Sequence, residues 1–260
     1  MAESGLPCGD AAACSCAVDV FAPPVTNRQP WEAGRLKRVR EGVHARRRGG
    51  STSPSALLLD MGGVVIPTLF ESVSVPGFPG GPFDAEEAYA TVERGERQER
   101  EYWADFMARR PDLDLGELWR VCSRVRPQLA GVLPRLAAVV RVVAFTNDMA
   151  HWFGDSWPRS FPELALFDAV IEAAKIGPLK PAVAAFELAA QAIGLQPEAC
   201  LFVDDLAANL RGAERAGMRT LLFDVTDPAA SIGEVCATFG LATDDPGPSR
   251  RVFAVPRSRT

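Results

Sequence analysis

Three short apolar runs in this 260-residue chain each end in side chains that can do chemistry. Ala56-Leu57-Leu58-Leu59 ends at Asp60, Val139–Phe145 ends at Thr146-Asn147-Asp148, and Cys200-Leu201-Phe202-Val203 ends at Asp204-Asp205. One Asp at such a place is ordinarily a turn former or a helix cap. Three polar ends converging on one rim are harder to account for that way. Asp60, Asp204 and Asp205 would crowd three carboxylates, which costs free energy unless a cation neutralises them. Ligands that are all oxygen favour Mg2+, which keeps waters and binds substrate phosphate. Lysine usage adds a fourth residue. Only Lys37, Lys175 and Lys180 are lysine among 28 basic residues. Against that bias Lys180, just before Pro181 at a helix start, reads as required by chemistry. Its compact ammonium reaches a phosphate or carboxylate where a guanidinium fork does not fit. Lys175 is the rival and reads as a surface residue.

These side chains need elements to hold them. Each run is short, continuously apolar and followed by turn residues, the pattern of a strand buried on both faces. Ala169-Val170-Ile171 and Thr220-Leu221-Leu222-Phe223 are weaker examples. Helical spacing lies between them, over Pro181–Ile193 and Leu206–Ala216. The alternation predicts an α/β fold, a Rossmann-like parallel sheet covered by helices on both faces. Ligands of such sheets bind beyond the carboxyl ends of the strands. Residues 84–130 carry no strand pattern. Helical spacing through Tyr102, Trp103, Phe106 and Leu118, Val121, Val125 predicts a small all-helical cap inserted after the first strand. The expected organisation is a core from 56–68 and 131–240, with the cap at 69–130. A disordered basic extension occupies 1–55 and a disordered tail 241–260.

Composition excludes several classes. No apolar run approaches the ~18 residues of a membrane-spanning helix. The start, Met1-Ala2-Glu3-Ser4, has no basic segment of the kind that opens a secretory signal. Charge is uneven, with eight basic side chains against two acidic between residues 28 and 50, then 16 basic against 26 acidic from 51 to 240. An acidic body argues against broad nucleic-acid binding. The six cysteines have no zinc-like spacing and read as free thiols of a reducing, cytoplasmic setting.

The motifs resemble those of the haloacid dehalogenase-like (HAD) hydrolase superfamily, in its branch with a small helical C1-type cap. Leu57-Leu58-Leu59-Asp60-Met61-Gly62-Gly63-Val64-Val65 is similar to the first motif, Phe145-Thr146-Asn147 to the second, and Gly177-Pro178-Leu179-Lys180-Pro181 to the third. Phe202–Asn209 and Gly212–Met218 are similar to the fourth. The resemblance covers about residues 56–225. It implies that Asp60 is a nucleophile forming an aspartyl-phosphate, and that Thr146, Asn147 and Lys180 bind the phosphoryl group. It also implies that Asp60, the Gly62 carbonyl, Asp204 and Asp205 hold Mg2+.

The chain departs from that family at one position. The usual first motif has a second Asp two places after the nucleophile, serving as general acid and base. Gly62 stands there instead. It keeps the carbonyl but offers no proton, and glycine also suits backbone angles that Asp adopts at a cost. General acid–base help is typically worth ~10²–10⁴-fold, so its loss need not abolish turnover. Asp148 and His151 are the nearby groups with a proton to give. The expected function is a Mg2+-dependent phosphomonoesterase acting on a small phosphorylated metabolite. A non-catalytic or regulatory protein of the same fold is the alternative, with a haloacid dehalogenase-type hydrolase as a further one.

Overall fold

The computed structural model describes residues 53–242. Most of the expected N-terminal extension and of the expected tail lies outside them. Five strands run parallel: β1 (Ala56–Leu59), β2 (Arg141–Thr146), β3 (Ala169–Glu172), β4 (Cys200–Asp204) and β5 (Arg219–Leu222), in the order β3-β2-β1-β4-β5. The register sets Leu59 between Ala144 and Val203, so three strands end side by side.

Alternation along the strands feeds two separate cores. Leu57, Leu59, Val142, Ala144, Leu201 and Val203 face one side of the sheet. Ala56, Leu58, Val143, Phe145, Cys200 and Phe202 face the other. All are buried, and each large apolar side chain so placed contributes roughly 1.5–3 kcal/mol. Helices cover both faces, as expected. Among the first core's partners are Leu129, Leu133, Leu136, Ile232 and Val235. The second core includes Ala185, Phe186, Ala189, Leu210 and Ala213.

Between β1 and β2 the described chain is helical: α1 (Leu69–Ser72), α2 (Glu87–Glu93), α3 (Glu99–Arg109), α4 (Leu115–Cys122) and α5 (Pro127–Val139). The last of these packs on the sheet, its buried Leu129, Leu133 and Leu136 spaced by four and three residues. Aromatic rings hold the others together. Phe70 stacks on Trp103 at 4.9 Å and meets Tyr89 edge-on at 4.6 Å, and Phe78 packs against Phe106 at 5.3 Å. Helix α4 starts where Asp114 accepts a hydrogen bond from the Glu117 amide at 2.9 Å.

Two local expectations are corrected. Val139 ends α5 and is exposed, so the strand that the apolar run predicted from Val139 starts at Arg141. Val121 is exposed and Val125 lies beyond α4, because that helix turns Trp119 inward instead. Helix α6 (Met149–Phe153) follows β2 and α7 (Ala173–Ile176) follows β3. Helices α8 (Val183–Ala192), α9 (Ala207–Arg215) and α10 (Pro228–Thr238) complete the fold. Strand β1 is central, and the chain leaves toward β2 on one side and β4 on the other. That switch point opens a crevice at the carboxyl ends of β1, β2 and β4.

Candidate active site

Asp60 is held at the end of β1 by its own amide, which donates to the Val203 carbonyl of β4 at 3.0 Å. The chain then turns back on itself, with Val65 N–H donating to the Asp60 carbonyl at 3.2 Å. Gly63 takes a φ of +76°, and a β-carbon there would lie 2.3 Å from an Asp205 carboxylate oxygen. Only glycine lets that carboxylate rest against the turn. Gly62 is different. Its φ lies outside the left-handed range that favours glycine, and a β-carbon would meet nothing within 4 Å. The backbone reason for glycine therefore belongs to Gly63, not Gly62.

The three carboxylates do converge. Asp60, Asp204 and Asp205 each offer an oxygen, all within 4.8 Å of one another. Lys180 enters between two of them, its Nζ 2.8 Å from Asp60 Oδ1, 2.8 Å from Asp204 Oδ2 and 3.2 Å from the Phe145 carbonyl. It is only 1% exposed. Its ammonium also lies over the rings of Phe145 and Phe202, at 5.4 and 5.0 Å. Burial works against its charge, but Asp204 and Asp60 outweigh it and the Lys180 pKa is raised. Burial pushes the Asp60 carboxyl upward, with Lys180 opposing and Asp204 adding to the rise. Asp205 is also raised, by burial first and then by the charges of Asp204 and Asp60. One ammonium thus pairs with two of the three clustered carboxylates. The donor set is all oxygen and carries excess negative charge, which fits a hard divalent cation such as Mg2+.

Asp204 is fully buried and has its own donors. Beside Lys180, the Leu206 amide donates to Oδ1 at 2.8 Å and Asn209 Nδ2 reaches both oxygens at 3.1 and 3.0 Å. Asn209 sits in the first turns of α9 and had no role assigned from sequence. Asn147 grips Lys180 by its backbone, accepting from its amide at 2.8 Å and donating to its carbonyl at 3.3 Å. Lys175 stands apart on the surface, paired with Asp155 and Glu172.

A cavity of about 70 Å³ lies over this cluster. Asp60, Gly62, Thr146 and Lys180 line it from the sheet, and Glu99 and Trp119 from the inserted helices. Gln98 Nε2 donates to the Lys180 carbonyl at 3.3 Å, so the start of α3 rests on the site. The buried Trp119 Nε1 has no hydrogen-bond partner among the described residues. Asp148 also lines the cavity, but Arg100 of α3 pairs with it at 2.5 Å. His151 is exposed and turned against Trp152.

Arg126 is the residue that sequence reasoning missed most completely. Its guanidinium donates to the Gly63 carbonyl at 2.8 and 3.2 Å and to both Glu71 oxygens at 2.8 and 2.7 Å. Glu71 in turn accepts from the Thr68 amide at 2.8 Å. The turn that follows Asp60 is thereby tied to the helices inserted behind it. Nothing in the sequence marks this arginine among 25.

The model of the haloacid dehalogenase-like hydrolase family matches residues 54–217. Acyl-CoA dehydrogenase family member 10 of Mus musculus is 34% identical over 93 residues, 35% of this chain and 9% of that protein. A phosphatase of Mycobacterium tuberculosis is 42% identical over 59 residues, 23% of this chain and 27% of that protein. The chain thus spans less than a third of the length of either relative. Among solved structures, a haloacid dehalogenase-like family protein of Streptococcus pneumoniae aligns at a TM-score of 0.49 with 16% identity, over 73% of this chain and all of that one. A HAD family enzyme of Bacteroides thetaiotaomicron, in complex with magnesium and inorganic phosphate, aligns at 0.43 with 18% identity, over 66% of this chain and 95% of that one.

Proposed function

Since the chain belongs to the haloacid dehalogenase-like hydrolase family, we propose that it is a Mg2+-dependent phosphomonoesterase acting on a small phosphorylated metabolite. The observation that carries this reading is the cluster itself: three carboxylates within 4.8 Å, two of them ion-paired to one buried lysine, beneath a cavity that Thr146 also lines. Asp60, the Gly62 carbonyl, Asp204 and Asp205 are the groups that would hold the metal. Bound Mg2+ supplies positive charge against the nucleophile and the phosphoryl oxygens.

The chain's own residues divide the remaining work. Asp60 is the nucleophile, and its attack on phosphorus gives an aspartyl-phosphate that water hydrolyses. Lys180 holds the Asp60 carboxylate in one orientation and presents positive charge to the phosphoryl group. Asn147 fixes the Lys180 backbone, so the ammonium need not be ordered as the substrate binds. The Thr146 hydroxyl, 5% exposed at the end of β2, donates to a phosphoryl oxygen. The inserted helices form a cap that limits the leaving group and excludes water.

A halide leaving group would need no proton, which suits Gly62, but a cluster of three carboxylates suits a metal-assisted phosphate better. The test is hydrolysis of p-nitrophenyl phosphate by the purified protein, with Mg2+ and with EDTA. Mg2+-dependent release of p-nitrophenolate, lost in Asp60→Asn with folding retained, is expected. Absence of turnover in the wild type, or turnover retained by Asp60→Asn, would overturn the reading.

A further inference from the structure

The phosphomonoesterase reading leaves one part of the chemistry without a residue. An alkyl leaving group departs as an alkoxide unless something protonates it, and Gly62 has no side chain. Asp148 is engaged by Arg100, and His151 does not line the cavity. One other carboxyl lines the cavity, from the inserted helices. Glu99, the first residue of α3, shares the cavity's lining with Asp60, Gly62, Thr146 and Lys180. We infer that Glu99, delivered by the cap, is the general acid and base of this enzyme, in the role that a side chain at position 62 cannot fill.

Several observations converge on Glu99. Its Oε1 accepts a hydrogen bond from Trp103 Nε1 at 3.1 Å, and Trp103 is itself locked among the rings of Phe70, Phe78, Tyr102 and Phe106. The carboxyl is therefore oriented by a rigid group on the next turn of the same helix. Helix capping does not account for it, because the neighbouring Glu101 is the residue that accepts from the Gln98 amide, at 3.3 Å. The contact of Gln98 with the Lys180 carbonyl keeps this end of α3 on the site. Burial raises the Glu99 carboxyl to about 7, with the Trp103 bond opposing and the charges of Asp60, Asp148 and Asp204 adding to the rise. A group so placed holds a proton part of the time near neutrality, the condition a general acid needs.

Asp60 attacks phosphorus while the bond from phosphorus to the leaving oxygen breaks. Glu99 gives its proton to that oxygen, and alcohol leaves. Water then attacks the aspartyl-phosphate, and the Glu99 carboxylate takes one of its protons. The bond from phosphorus to Asp60 breaks, giving inorganic phosphate and returning both carboxyls to their starting states.

This inference rests on the phosphomonoesterase reading, and the experiment separates the two. Full-length wild type, Glu99→Gln and Glu99→Asp are assayed with Mg2+ on p-nitrophenyl phosphate and on ethyl phosphate. The first leaves as a weakly basic phenolate and the second as a strongly basic alkoxide. In Glu99→Gln, kcat/KM for ethyl phosphate should fall roughly 10²-fold or more. That for p-nitrophenyl phosphate should stay within about threefold, since the measure covers only steps up to phenolate release. The intermediate should then accumulate, seen as a burst of p-nitrophenolate before a slower steady rate. Glu99→Asp, which keeps the carboxyl on a shorter arm, should retain more ethyl phosphate turnover than Glu99→Gln. Turnover of the aryl substrate also reports that each variant is folded. An equal fall on both substrates, no fall on ethyl phosphate, or the reverse order of the two variants would overturn the assignment. Failure of the underlying reading would appear in the wild type, as no Mg2+-dependent release of phosphate from either substrate.

Discussion

Asp204 and Asp205 are adjacent and identical, yet their surroundings give them different work. Asp204 is buried and takes hydrogen bonds from Lys180, Asn209 and the Leu206 amide. Removing it leaves Lys180 and Asn209 short of a partner inside the protein. Asp204→Ala should therefore destabilise the fold by on the order of 3 kcal/mol, measured by urea unfolding. Asp205 rests against the Gly63 turn, and in the proposed site it serves the metal more than the fold. The wild type should melt at higher temperature as Mg2+ is added, by linkage of binding to folding. In Asp205→Ala that rise should vanish while the metal-free melting temperature changes little. An undiminished Mg2+ effect in Asp205→Ala would remove it from the metal site. Gly62 offers a separate residue-scale test, because a side chain there has room. Gly62→Asp placed in the Glu99→Gln background should recover at least tenfold of the lost ethyl phosphate kcat/KM. A folded double variant with no recovery would mean that a carboxyl at 62 does not reach the leaving oxygen.

At the scale of elements, the site depends on how the inserted helices are tied to β1. Arg126 lies at the start of α5, yet its guanidinium clamps the Gly63 carbonyl and the Glu71 carboxylate, 63 and 55 residues away in sequence. Replacing it with Met leaves a half-buried Glu71 carboxylate and a buried carbonyl without their donor. Arg126→Met should cost about 3–5 kcal/mol in urea unfolding, and the turn that orients Asp60 should loosen with it. Arg126→Lys should recover only part of this, since an ammonium cannot hold both acceptors in a fork. A variant with wild-type stability would show that the clamp is incidental. A second tie runs from α3 to the loop after β2, through Arg100 and Asp148. The pair is partly exposed, so its worth is in where it holds the cap rather than in stability.

For the whole molecule, the two cores on either face of the sheet are built, among the described residues, within 53–242. A chain beginning at residue 53 keeps every one of those contacts. It should melt within about 3 °C of the full-length protein and match its rate with Mg2+ on p-nitrophenyl phosphate, as calorimetry and that assay would show. A fall of more than about 10 °C would mean that the first 52 residues contribute to the core. The strands and their polar ends were legible in the sequence because burial on both faces demands continuous apolar runs, and such a run is a local signal. Helix patterns were legible for the same reason, although Val121 misled the helix reading and Val139 the strand run: period alone does not say which apolar residue a neighbour covers. What the sequence determined by itself was the α/β class, the Asp and Thr at the strand ends, and a Lys just before a helix start. Which groups meet was decided only by the tertiary structure. Lys180 bonds Asp60 across 120 residues, Arg126 finds Gly63 across 63, and Glu99 comes to the cavity over the sheet on a helix from the insertion. Those pairings follow from the strand order and from how the inserted helices pack, and neither is encoded in residue type or spacing at the positions concerned.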